Sequence, residues 1–191
     1  MILTNCAACA APLAQAELSM MRRLGAGEDD MLVAKGNLAV TYRELGRIEQ
    51  AFSMRQEVYA RRLKLSGEEH DETIREALCL AHVLVDSSRF EDARALMRKF
   101  LPVVRRVLGA SHDYTLKIRT AYGEAVYMDA AATLDDLREA VTTLEDAERI
   151  ARRVLGGAHP TVAEVERGLI ALRTMLRARE AGKTVVFVRP K

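Results

Sequence analysis

The chain has 191 residues, of which 49% are hydrophobic and 29% are charged, and this composition is typical of a folded protein rather than a disordered one. Its net charge of +2 gives no general attraction to nucleic acid or to an anionic membrane. Three cysteines do not make a disulfide framework, and the N-terminus lacks the positively charged start of a signal peptide. No apolar run approaches the roughly 18 residues of a membrane span. We therefore expect a cytoplasmic protein that does not cross a membrane.

The first element predicted along the chain is a single helix within residues 1–24, the second half of an incomplete repeat. Its "CAAC" stretch, Cys6 to Cys9, has two interpretations: small core residues at the start of a helix, or half of a zinc or redox site. The first is favoured because these cysteines lie 42 residues before Ile48 and Ala51, which begin another predicted helix. We expect no bound metal and no other cofactor.

From residue 25 onward the chain repeats itself. The motif "GEEHDET" (67–73) returns after 42 residues as "GASHDYT" (109–115), and "GAHPTV" (157–162) brings a third histidine into the same frame. Between the first two motifs, Ile74, Ala77 and Leu78 begin an apolar face with i, i+3, i+4 spacing. "DSSR" (86–89) then interrupts the pattern, as "ELGR" (44–47) does one period earlier. Each period therefore predicts two antiparallel helices.

The predicted repeats are residues 25–66, 67–108 and 109–155, followed by a final first helix at 156–180 and a short tail at 181–191. The second helix of the middle repeat contains Pro102, which lacks a backbone donor and should kink it. The spacing grows from 42 to 47 residues after residue 129, so five residues are inserted near "DAAATLDD" (129–136).

This pattern resembles the tetratricopeptide family, in particular its longer-period kinesin-light-chain type. "GNLAVTYRELGRIEQA" (36–51) is similar to that family's first helix and turn, and the histidine motifs are similar to its Gly-x-x-His-Pro loop, with Asp replacing Pro in the first two. The resemblance implies an all-α fold, a right-handed superhelical solenoid of antiparallel helix pairs. In such a solenoid, each pair buries its apolar face against its neighbours.

The loop histidines are His70, His112 and His159, one in each repeat. Equivalent loops of stacked repeats are separated by at least one helix diameter, roughly 10 Å. A zinc ion needs all its nitrogen ligands within about 2 Å. We therefore predict that the three histidines are turn residues leading into the next helix and do not share a metal.

The resemblance also implies that the first helices line a concave groove that binds peptide segments of other proteins. By register, the candidate groove residues are Asn37, Val40, Arg43, Arg75, His82, Lys117 and Tyr127. Asn37 matches the asparagine that typically bonds a bound peptide's backbone in this family, whereas Cys79 and Ala121 take its place in the next two repeats. The cations favour an acidic peptide segment, unless they serve to neutralise the acids beside them.

The sequence offers no nucleophile with its base, no metal cluster and no phosphate-binding loop, and "GAG" (25–27) lacks the P-loop lysine and serine. We therefore predict that the protein is not an enzyme. Two functions stay open: an adaptor that binds peptide segments in the groove, and a structural or regulatory solenoid that self-associates or packs on a larger protein. A nucleic-acid partner is disfavoured, because RNA-binding helical repeats have a shorter period and a base-reading code. The identity of the partner is not encoded in any of these features.

Overall fold

The structure, a computed structural model, describes residues 7–183, with side chains from Ala10 onward. This part of the chain forms eight α-helices and no strand, which confirms the all-α prediction. The helices are α1 (Ala7–Arg23), α2 (Glu28–Glu44), α3 (Ile48–Ser66), α4 (Asp71–Asp86), α5 (Phe90–Val107), α6 (Asp113–Met128), α7 (Leu134–Leu155) and α8 (Pro160–Glu180).

Each helix packs against the next one along the chain, and α6 also packs against both α4 and α8. We call α2, α4, α6 and α8 the first helices, and α3, α5 and α7 the second helices. The contacts place α4, α6 and α8 side by side, and an ion pair between Arg43 and Asp86 joins α2 to α4. Each second helix packs between two first helices in chain order. This is the stacking of antiparallel helix pairs that the repeated pattern predicts.

The turns that follow α2 and α4 close with one backbone geometry, although their sequences differ. After α2, the backbone N–H groups of Gly46 and Arg47 donate to the carbonyl oxygens of Arg43 and Tyr42, and Gly46 has a φ of 71°. These are the two hydrogen bonds of a Schellman motif. After α4, the same bonds form with Ser88 in place of the glycine, at a φ of 59°. "ELGR" and "DSSR" therefore end their helices in the same way.

The three loop histidines cap the first helices that follow them. The Nδ1 atoms of His70, His112 and His159 each accept a hydrogen bond, at 3.2 Å, from the backbone N–H two residues further on. Each histidine has an extended backbone, as an N-cap residue should. The prediction that they are turn residues is confirmed, and their repetition follows from one capping requirement at the start of α4, α6 and α8, whereas α2 begins after Gly27 without a side-chain cap.

The five-residue insertion is divided between a loop and a helix. Two residues lengthen the connection between α6 and α7, and three more, 134–136, add a turn at the start of α7 ahead of Leu137. Leu137 is fully buried at the position that Phe90 occupies in α5. A capping box holds the added turn: the Thr133 N–H donates to Asp136 Oδ2 at 3.0 Å, and the Asp136 N–H donates to Thr133 Oγ1 at 3.1 Å.

Glycines allow α6, α7 and α8 to meet closely around one leucine. A Cβ atom added at Gly123 would lie 2.8 Å from Leu144 Cδ1, and one added at Gly168 would lie 2.9 Å from Leu144 Cδ2. Leu144 itself is fully buried, within a core cluster whose residues extend from α4 to α8. The side chain of this α7 residue thus packs directly on the backbones of both neighbouring first helices.

Some predictions concern residues outside this description. Cys6 lies before the described residues and the side chain of Cys9 is not described, so their assignment to the core stays a prediction. Residues 184–191, most of the predicted tail, also lie outside. α1 contains Pro12 and extends from Ala7 to Arg23 as one helix. α5 continues through Pro102 to Val107 as one helix.

Replacing a capping histidine should destabilise the fold measurably. We expect His112→Ala to lower the free energy of unfolding by about 1 kcal/mol, because the Tyr114 N–H loses its acceptor. His112→Asn should retain most of the stability, since asparagine is a good N-cap. Urea denaturation of the three proteins measures both effects, and an alanine variant as stable as the parent would show that the cap contributes nothing.

Ser88 offers a stabilising substitution. We expect Ser88→Gly to raise the free energy of unfolding by about 0.5–1 kcal/mol, because glycine adopts a positive φ without the strain imposed by a Cβ atom. The matched control is Ser87→Gly, at a φ of −85°, where serine is unstrained and its hydroxyl donates to the Leu84 carbonyl. Thermal melts in which both glycine variants lose stability would contradict the assignment of strain to Ser88.

Candidate functional site

The first helices present a row of side chains that are not buried in the core. We call this surface the first-helix face and define it by the seven residues predicted to line a groove, together with their exposed neighbours. Asn37, Val40 and Arg43 are exposed on α2. The other four are half-buried, Arg75 and His82 on α4 and Lys117 and Tyr127 on α6. Gly36, Leu78, Val85 and Ala121, on the same three helices, are buried.

The start of this face, on α2, combines an amide with exposed apolar groups. Val33 and Val40 retain 45% and 41% of their accessible surface, and Asn37 is exposed between them. Their spacing of three and four residues places them along one side of the helix. This stretch therefore offers a hydrogen-bonding group flanked by two apolar contacts.

Every predicted cation of the first-helix face is paired with a carboxylate of the same chain. Arg43 on α2 forms an ion pair with Asp86 on α4, which joins the two helices. Arg75 pairs with Glu72 in the preceding turn of α4, and Lys117 Nζ lies 2.6 Å from Asp113 Oδ2 on α6. The pairing with Asp113 raises the pKa of Lys117. The face is therefore a set of neutralised pairs rather than a basic strip.

Beneath the α2 part of this face lies a buried ion pair. Arg55 Nη1 on α3 lies 2.7 Å from Glu76 Oε2 on α4, and both residues are at least 94% buried. A Cβ atom added at Gly36 would lie 3.2 Å from Arg55 Nη1. Gly36 therefore leaves the space through which the guanidinium reaches Glu76, and this explains why it is not a surface position.

Towards α8 the face becomes acidic. Burial and the neighbouring Glu164 raise the pKa of Glu124, which Arg43 partly offsets. Burial, together with the charges of Glu124 and Glu164, raises the pKa of Tyr127 to about 12. A cavity of about 180 Å³ lies between α6 and α8 at this point, lined in part by Tyr127 and Arg167. Arg43 on α2 and Glu124 on α6 are therefore near enough for their charges to interact.

Glu164 and Arg167 were not among the predicted groove residues, although the sequence contains the signal for them. They lie 47 residues after Lys117 and Thr120, the spacing that applies beyond the insertion. Applying the longer spacing to the final first helix identifies both residues. Lys117 and Glu164 occupy equivalent positions but have opposite charges, so successive repeats present different side chains at the same position.

Cys79 occupies the position that asparagine holds on α2. Its thiol is half-buried, and burial raises its pKa, despite the lowering effect of Arg55, Arg75 and Arg43. A thiol in this state is a poor nucleophile. Among residues 7–183, no three His, Cys, Asp or Glu side chains converge on a point that suits a metal ion.

A search of the same stretch for membrane spans finds no helix that is both long enough and apolar enough to cross a bilayer.

Comparison with known proteins agrees with the resemblance noted in the sequence. The model of the tetratricopeptide repeat matches residues 31–72 and 77–114. No curated protein matches significantly.

Solved structures of kinesin-light-chain proteins are similar to the chain in fold. A point variant of a kinesin light chain with nearly identical TPR-like repeats, from Podosopora anserina, superposes with a TM-score of 0.76 at 19% identity, covering 92% of this chain and 82% of its own. A second structure of such repeats from that organism gives a TM-score of 0.70, also at 19% identity, with coverages of 92% and 88%. BtubC (BKLC) from P. vanneervenii gives 0.58 at 16% identity, with coverages of 98% and 79%.

These likenesses extend over nearly the whole described chain, whereas the family model covers its two central repeats. Tetratricopeptide repeats are typical of modules for protein–protein interaction. The chain contains tetratricopeptide repeats at residues 31–72 and 77–114, and its fold is an all-α solenoid similar to those of kinesin-light-chain repeat structures.

Proposed function

We propose that this protein is a non-catalytic adaptor that binds a segment of a partner protein along the first-helix face. The observation that carries the proposal is the exposed Val33, Asn37 and Val40 stretch on α2, continued by polar groups on α4 and α6. A partner segment that crosses the first helices would contact the exposed side chains of α2 and then the polar groups of α4 and α6 in turn. On the basis of its cysteine content we further propose a cytoplasmic location.

The ion pairs of the face favour a preformed binding surface. Side chains already held by partners lose little conformational freedom when a ligand binds, and this reduces the entropic cost of association. The Arg43–Asp86 pair fixes the relative position of α2 and α4, and Lys117–Asp113 fixes the cation of α6. Asn37 remains exposed as a backbone-binding amide.

We propose that the bound partner segment is acidic. The ion pairs of the face restrict how its carboxylates can bind. A peptide carboxylate near Arg43, Arg75 or Lys117 must share the cation with the acid that already holds it. Exposed pairs are weak, contributing about 0–1 kcal/mol, so such sharing costs little. An acidic ligand should avoid the α8 end, where Glu124 and Glu164 would repel it.

Changing the face should abolish partner binding without unfolding the chain. For the triple variant Asn37→Ala, Arg75→Glu, Lys117→Glu, we expect loss of partner capture, with an affinity for an identified partner at least about tenfold weaker, or 1.4 kcal/mol. Affinity capture followed by titration calorimetry measures this. The variant with Gln in place of both Glu substitutions avoids crowding carboxylates near Glu72 and Glu76 and should show a smaller loss.

The matched control places the same changes on the second helices. The control variant is Gln50→Ala, Arg105→Glu, Arg153→Glu. It changes the net charge by the same amount as the first-helix variant, and its three positions are exposed. It should bind as the parent does, provided circular dichroism shows equal helicity in all variants. If the first-helix variant binds as well as the parent, the first-helix face is not the binding surface.

A second candidate function, self-association, is favoured by the outer side of α1. Leu13, Met20 and Leu24 retain 73%, 63% and 74% of their accessible surface, and their spacing of seven and four residues aligns them on one side of this helix and its end. The buried residues Ala11 and Leu18 occupy the other side, towards the core. An apolar stripe of this kind fits a second copy of the chain or a further part of a larger protein.

If the stripe mediates self-association, Leu13→Glu with Met20→Glu should convert a dimer into a monomer. Light scattering over a range of protein concentrations measures the mass of both proteins. Both positions are exposed, so helicity should be unchanged. A parent chain that is monomeric at every concentration would exclude self-association through α1.

A further inference from the structure

A cavity lies beside the first-helix face, at the end of the solenoid where the first helices stop. Its volume is about 910 Å³, and we call it the edge pocket. Its apolar walls come from three repeats: Leu45, Ile48, Val85, Phe90 and Met128. Four of these are half-buried and Val85 is 97% buried, so the pocket presents apolar surface that the described chain covers only in part.

The rim of the edge pocket is charged. Arg43 and Asp86 line it as an ion pair, and Glu44 lines it with an exposed carboxylate. With one cation and two carboxylates, the rim carries an excess negative charge. A segment suited to this pocket is therefore apolar in its centre, with a cationic end.

The last described helix ends on the same edge of the molecule. Arg179 near the end of α8 donates a hydrogen bond to the carbonyl oxygen of Ala130, in the loop that follows α6. Arg138 Nη2 on α7 lies 3.1 Å from Glu180 Oε1. These two contacts hold the C-terminal end of α8 beside the end of α6, two residues from Met128 of the edge pocket.

The residues that follow have the composition that the pocket requires. Positions 184–191 read "TVVFVRPK", with four consecutive apolar residues centred on Phe187 and two cations, Arg189 and Lys191. Four residues of chain span at most about 14 Å, and packed helices lie about 8–10 Å apart. Phe187 can therefore reach from Lys183 across to the Met128 side of the pocket.

We propose that the C-terminal segment 184–191 docks in the edge pocket of its own chain, with Phe187 against Met128 and Phe90 and the cations towards Glu44 and Asp86. Because the pocket adjoins the Arg43 and Asp86 part of the first-helix face, the docked segment covers one end of that face. The protein thus carries its own competitor for a ligand that extends over this edge. The inference does not depend on a partner binding elsewhere on the face.

Methyl NMR of the full chain tests the docking directly. The ε-methyl resonance of Met128, assigned with Met128→Leu, should shift in Phe187→Asp more than any other methionine methyl, because it loses a neighbouring aromatic ring. The methyls of the core residues Met97 and Met175 report that the fold is intact. The control Val154→Asp makes the same kind of change at an exposed residue of the opposite edge and should leave Met128 unchanged.

Two further measurements make every outcome decisive. The free peptide TVVFVRPK added to the Phe187→Asp chain should return the Met128 resonance towards its parent position, whereas the peptide with Asp at the phenylalanine should not. The Met128 resonance of the parent should not depend on protein concentration. No shift in Phe187→Asp would overturn the proposal. A shift that vanishes on dilution, together with a dimer in light scattering, would place the segment in a second copy and overturn docking within one chain.

Discussion

A pair of antiparallel helices can cover only part of its apolar surface, and the remainder must be covered by the next pair. This constraint determines the arrangement of every helix described. Its clearest expression is Leu144 of α7, whose side chain lies against Gly123 of α6 and Gly168 of α8. A Cβ atom at either glycine would require the Leu144 side chain to move. The close stacking of first helices, and with it the continuity of the first-helix face, depends on contacts of this kind.

Stacking also requires charged groups to cross between helices. Arg55, Arg62, Arg94 and Arg119 are each about 95% buried, and every one of them is held by carboxylates. Arg119 Nη1, for example, lies 2.7 Å from Asp146 Oδ2, joining α6 to α7. Removing Glu76, which is buried as fully as its partner Arg55, would leave an uncompensated charge, which costs about 3–5 kcal/mol. These pairs therefore help to fix which helices are neighbours.

The repeated frame could be predicted from sequence because it follows from local chemistry. Histidine N-caps begin α4, α6 and α8, left-handed residues follow α2, α4 and α8, and each sets a helix end independently of distant residues. The existence of the insertion was also visible, but its division between loop and helix depends on the Thr133 and Asp136 capping box.

Burial of Gly36 could not be predicted, because it results from Arg55, a residue of another helix, reaching Glu76. The pairing of Arg43 with Asp86, 43 residues away, likewise depends on how two repeats are superimposed.

The predicted groove residues were identified from the repeat register. The register predicts where a residue lies in the repeat, but not which other residues it contacts. All seven lie outside the core of the described chain, yet three of them already hold a carboxylate of the same chain. Sequence alone left two roles open for the cations, binding an acidic ligand or neutralising the acids beside them, and in the structure each cation is paired with a carboxylate of the same chain. The surface becomes acidic towards α8. The chemistry of a groove therefore follows from pairings between repeats as much as from the residues that line it.

The most direct test of the first-helix face as a binding surface is backbone NMR mapping of a bound partner segment on isotope-labelled protein. Amide shifts on titration should concentrate in α2, α4 and α6, around Asn37, Cys79 and Lys117, with little change in the second helices. Shifts confined to α3, α5 and α7, or to the outer side of α1, would contradict the claim that the partner binds along the first-helix face.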